Sequence, residues 1–120
     1  MSIVLYGIPN CGTVRRARAW LAGRAVACSF HDFKREGLRP EMLDAWIAVL
    51  GWQPLLNRQG LTWRRLAETE RARVVDAAGA RAAMLAWPSL VKRPVVQWGD
   101  GRVSVGFDET EWTARLADAP

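Results

Sequence analysis

The run Ile3-Val4-Leu5-Tyr6-Gly7 carries no polar alternation and is stopped by Gly7 and Pro9. An apolar run of that kind suits a short strand covered on both faces, so the rest of the chain must supply a layer on each side of it. From about Thr13 to Ala22, Val14, Ala17 and Leu21 fall at i, i+3 and i+7, and Gly23 stands where an amphipathic helix would end. Ala25 to Phe33 then alternates as a second strand, with Val26, Cys28, Phe30 and Asp32 on one side and Ala27, Ser29, His31 and Phe33 on the other. Strand, helix and strand in this order form a right-handed βαβ unit with parallel strands.

The middle of the chain has another character. Met42, Leu43, Trp46, Ile47, Val49 and Leu50 mark a helix after Pro40, and shorter helical patterns follow over 61–66, 70–77 and 81–87, punctuated by Gly51, Gly60, Gly79 and Pro88. Val95 to Trp98, the Gly99-Asp100-Gly101 turn and Val103 to Val105 read as a β-hairpin, and 109–116 as a closing helix. The expected architecture is α/β: one mixed four-stranded sheet flanked by helices, thioredoxin-like (glutaredoxin-like), with a helical insertion at about 40–88 between the second strand and the C-terminal hairpin. All 120 residues fit one domain, and a monomer is expected.

Charge and cysteine content narrow the function classes. Seventeen Lys and Arg against twelve Asp and Glu leave a net charge of +5. Most of the cations are Arg, whose planar donors suit carboxylates and oxyanions. They are dispersed in runs no longer than two, which argues against nucleic acid as the partner, and Trp46 sits on the apolar stripe of its helix rather than in a stacking platform. Two cysteines and the lone His31 show no paired spacing, so no metal site is expected. No apolar run approaches the roughly 18 residues of a membrane span, and the segment from Met1 to Leu5 has no basic leader pattern, so a cytoplasmic location is the expectation.

The chemistry concentrates at Cys11, between the end of a strand and the start of a helix. Outward-pointing N–H groups and the helix dipole at such a place favour the thiolate. The competing reading of a lone cysteine is a small buried hydrophobe. Val14 occupies the position three residues on, so a dithiol Cys-x-x-Cys cycle is excluded here. Cys28, in the second strand, reads as a packing residue rather than a resolving thiol. Asn10 and Thr13 are candidates to cap the helix or hydrogen-bond the sulfur. His31 reads as structural. Arg93, immediately before Pro94, and Arg58, in Leu55-Leu56-Asn57-Arg58, read by themselves as surface cations.

Taken together these pieces resemble the glutaredoxin-coupled arsenate reductase (ArsC) and Spx-like family. The shared features are Tyr6-Gly7 leading to Cys11, Leu55-Leu56-Asn57-Arg58 in the insert, and Arg93-Pro94-Val95 before the hairpin. Further matches are Phe30-His31-Asp32-Phe33, Gly60-Leu61-Thr62-Trp63-Arg64-Arg65-Leu66 and Val105-Gly106-Phe107, so the resemblance spans essentially the whole chain and is nearest to a single-cysteine branch. The resemblance implies a nucleophile at Cys11, Arg58 and Arg93 facing it, and a cis bond at Pro94 beside the sulfur. Arsenate reductases of the family surround the oxyanion with three arginines, and the third position here is Phe107. Losing that cation costs on the order of 1.5 to 3 kcal/mol when its hydrogen bond to a charged ligand is not replaced.

Three readings follow. The first is a thiol oxidoreductase in which Cys11 forms a mixed disulfide resolved by glutathione, a co-substrate rather than a bound cofactor. Arg58 and Arg93 would hold its carboxylates, and the backbone of Val95 or its neighbours beside Pro94 would pair with it as an added strand. The second is arsenate reduction coupled to glutaredoxin, against which Phe107 speaks. The third is a non-enzymatic Spx-like regulator that binds RNA polymerase.

Overall fold

The structure, a computed structural model, describes residues 3–117. Met1 and Ser2, part of the segment read for a leader, lie outside the described residues. The sequence elements assemble as β1 (Ile3–Gly7), α1 (Gly12–Gly23), β2 (Cys28–Asp32), α2 (Phe33–Glu36), α3 (Pro40–Leu50), α4 (Leu61–Arg65), α5 (Glu68–Arg71), α6 (Ala77–Ala86), a single 3-10 turn (Pro88–Leu90), β3 (Val95–Gln97), β4 (Val103–Val105) and α7 (Glu109–Ala117). The sheet has the order β2-β1-β3-β4. β1 runs parallel to β2 and antiparallel to β3, and β3 is antiparallel to β4. This is the mixed four-stranded sheet that the βαβ unit and the hairpin lead one to expect.

The unalternating β1 is covered on both sides because the two faces of the sheet have separate cores. Ile3 and Leu5 join Val14, Ala17 and Leu21 of α1, Val96 of β3, Trp98 just after that strand, and Trp112 of α7 in one cluster. Val4 and Tyr6 face the other cluster, built from the insert through Met42, Leu43, Trp46, Leu55, Leu56, Ala80 and Met84. The period of two in a strand divides alternate residues between these layers. Trp46, Trp98 and Trp112 are fully buried. The Trp98 indole is satisfied by donating to Ser104 Oγ at 2.9 Å.

Three boundaries differ from the sequence expectation. The second strand covers Cys28–Asp32 rather than 25–33, because the Asp32 side chain accepts from Lys34 N–H at 2.8 Å and caps α2, which takes Phe33 out of the strand. The helix expected over 70–77 is the short α5, ending at Arg71. The helix expected from Arg81 starts at Ala77, where Asp76 caps it by accepting from Gly79 N–H at 2.8 Å. Gly79, read as punctuation, lies inside α6: a Cβ there would collide with the carbonyl oxygen of Arg73. It marks a close approach of two backbones rather than a break.

Candidate active site

Cys11 is the N-cap of α1, in extended conformation (φ −92°, ψ 124°), and its carbonyl accepts the Arg15 N–H at 2.9 Å. The loop that carries it follows Gly7, where an added Cβ would lie 2.7 Å from Val14 Cγ2. The missing side chain lets the first turn of α1 sit directly on the end of β1. The N–H groups of Val14 and Thr13 therefore face the sulfur, as long sulfur-type contacts rather than a closed cap hydrogen bond. The Arg93 guanidinium stands beside it.

Burial weighs against the charged form of Cys11. The Val14 N–H, the Arg93 guanidinium, the Thr13 N–H and the Arg93 charge together outweigh that penalty and hold the thiol below its ordinary value. The sulfur remains partly accessible and opens into a cleft of about 290 Å³ lined by Cys11, Thr13, Asn57, Gln59, Gly60, Lys92 and Arg93. A reachable sulfur whose thiolate form is favoured by a cation at its side can attack a disulfide or another electrophilic centre.

The other predicted residues divide. Arg93 and Thr13 come together with Cys11, and Arg16 Nη2 donates to Thr13 Oγ1 at 3.2 Å. The Arg93–Pro94 peptide bond is cis. Asn10 is exposed in the loop before the sulfur, and among the described residues its side chain makes no hydrogen bond. Arg58 is not in the lining of the cleft; its guanidinium lies over the rings of Trp52 and Trp63, at 5.8 and 5.6 Å from their centroids. Val95 is enclosed, registered with Tyr6 on one side and Val105 on the other, so it offers no free edge to a ligand. Its neighbour Arg93 does: among the described residues no hydrogen bond engages the Arg93 backbone N–H or C=O. Asn57, Gln59 and Lys92 line the cleft without having been singled out. Their one sequence signal is adjacency to Arg58 and Arg93.

Cys28 lies level with Ile3 in the β1–β2 register, at the opposite end of β1 from the Cys11 loop. Four residue steps of strand amount to roughly 13 Å, beyond the about 7 Å that a disulfide bridges. Burial pushes its thiol above the ordinary value, only partly offset by Arg18. His31 Nε2 is hydrogen-bonding distance (2.9 Å) from the Gly37 carbonyl and its ring packs on Tyr6, a structural placement. Phe107 is partly buried and packs edge-on against Trp112 at 4.7 Å and Trp20 at 6.1 Å, at the margin of the core cluster that holds Trp112. Among the described residues no group of three His, Cys, Asp or Glu converges as metal ligands, and no helix is long and apolar enough to cross a membrane.

The ArsC family profile matches residues 6–115. The chain belongs to the ArsC family. Its fold is the thioredoxin-like one of that family: the YFFB (PA3664) protein superposes with a TM-score of 0.90 at 46% identity, covering 95% of this chain and 98% of that one. An arsenate reductase (ArsC) related protein from Brucella melitensis gives a TM-score of 0.76 at 47% identity over 97% of this chain and 95% of its own. The global transcriptional regulator Spx of Streptococcus agalactiae is 27% identical across 95% of this chain and 82% of its length. Membership places the ArsC-family chain described here among arsenate-reductase-like thiol oxidoreductases.

Proposed function

We propose that this ArsC-family protein is a glutathione-dependent thiol oxidoreductase that works with Cys11 alone. The observation that carries the reading is a thiolate-favouring sulfur in an open cleft beside Arg93, with the second cysteine out of reach. The Cys11 thiolate attacks the glutathionyl sulfur of a mixed disulfide, forming Cys11–S–S–glutathione as the old disulfide bond breaks and the substrate thiolate leaves. A second glutathione thiolate attacks the adduct, releasing oxidised glutathione and restoring the Cys11 thiolate. Each step exchanges one S–S bond for another, and the electrons come from glutathione. The unpaired Arg93 backbone beside the sulfur supports a peptide thiol, which pairs there as a short added strand.

Phe107 supports a thiol over arsenate as the substrate. The third guanidinium of an oxyanion site is replaced by a ring packed into an aromatic cluster. The test is intact-mass analysis after mixing with oxidised glutathione: one glutathionyl adduct on the wild type and none on Cys11→Ser. Absence of the adduct, or its persistence in Cys11→Ser, overturns the reading.

A further inference from the structure

The ligand-holding part of the cleft can be assigned beyond Cys11 and Arg93. A short antiparallel bridge joins Leu56 to Val91, flanked by the hydrogen bonds Asn57 N–H to Leu90 O (2.8 Å) and Lys92 N–H to Leu55 O (2.7 Å). These bonds stitch the insert to the segment before Pro94 and set Asn57 and Lys92 at diagonal positions of the bridge, on one face of it and both in the lining of the cleft that holds Cys11. Asn57 Oδ1 is committed to the Gln59 N–H at 3.0 Å. A Cβ on Gly60 would lie 2.8 Å from Asn57 Nδ2, so glycine there leaves room for the amide in the cleft. The amide NH₂ is then a donor without an intramolecular acceptor among the described residues, and Lys92 forms no ion pair among them.

Arg58, in contrast, is engaged by Trp52 and Trp63 and is not part of the lining. Such stacking is itself favourable and would have to be given up for Arg58 to reach a ligand. A rotatable ammonium and an amide NH₂ are donors for a carboxylate at the end of a flexible chain.

We propose that Lys92, together with the Asn57 amide, holds the carboxylate of the thiol or disulfide that reacts at Cys11, and that Arg58 does not. The assignment rests on the glutathione-linked reading above and specifies which residues select an anionic sulfur compound over a neutral one.

The experiment compares two probes, oxidised glutathione and the neutral bis(2-hydroxyethyl) disulfide. The rate of adduct formation on Cys11 is followed by mass in the wild type, Lys92→Gln, Lys92→Arg and Arg58→Gln. Lys92→Gln slows reaction with oxidised glutathione about tenfold, the loss expected for one hydrogen bond to a charged group. Its reaction with the neutral disulfide stays within about twofold, which also reports an intact fold. Lys92→Arg recovers most of the preference. An unchanged ratio of the two rates in Lys92→Gln, or a larger fall in that ratio in Arg58→Gln, overturns the assignment while leaving the Cys11 chemistry standing. A wild type that reacts with neither disulfide removes both.

Discussion

Cys11 and Cys28 sit at opposite ends of the same strand pair, burial penalises the charged form of both, and their thiols shift in opposite directions. The difference lies in what faces each sulfur. Cys28 is the first residue of the edge strand β2 and has only the charge of Arg18 to offset its burial. Cys11 meets two unsatisfied N–H groups at a helix start and a guanidinium delivered by a segment more than eighty residues along the chain. Both sulfurs are partly buried, and the donors aimed at Cys11 are what turn its shift the other way.

The comparison is broken most severely by Arg93→Ala. Removal of the guanidinium raises the Cys11 thiol towards its ordinary value and takes away a charged hydrogen bond. Attack on oxidised glutathione falls on the order of tenfold to a hundredfold, while alkylation of Cys28 is unchanged. Stopped-flow or mass-resolved kinetics of both cysteines in one sample checks this, and equal slowing of the two would refute it.

Gly7→Ala acts on the other half of the arrangement. The new methyl meets Val14 Cγ2 at 2.7 Å and pushes the first turn of α1 off the strand end. Overpacking of this kind costs about 1 to 3 kcal/mol, read as a lower midpoint in urea. Cys11 alkylation at neutral pH slows with it, and that of Cys28 does not.

The pH profile sharpens the contrast without a mutation to the site. Cys11 is alkylated with an inflection below that of a free thiol and Cys28 with one above it, so raising the pH narrows the gap between their rates. Arg18→Gln, which removes the one charge favouring the Cys28 thiolate, moves the Cys28 inflection further up and leaves Cys11 where it was. The change in Cys28 rate at neutral pH is the smallest effect in the series. A downward shift would show that Arg18 does not act on that sulfur.

Much of this was legible in the chain. The unalternating Ile3–Gly7 run announced a two-sided strand, and the Val14, Ala17, Leu21 spacing placed a helix whose start falls at Cys11. What the sequence hid were features set by distant packing. Gly79 reads as a break until the Arg73 carbonyl is seen resting on it. Arg58 matches a family motif in one dimension, but two tryptophans that flank its loop hold it in three. Lys92 and Asn57 share one cleft only because a two-residue bridge ties segments more than thirty residues apart, and no local pattern encodes such a tie.

The ring at position 107 has an evolutionary corollary. A guanidinium introduced there would leave Trp20 and Trp112 without their edge-on neighbour and would itself begin life among indoles. Conversion towards oxyanion chemistry at this position therefore trades ring–ring packing in the Trp20, Phe107 and Trp112 cluster for a cation.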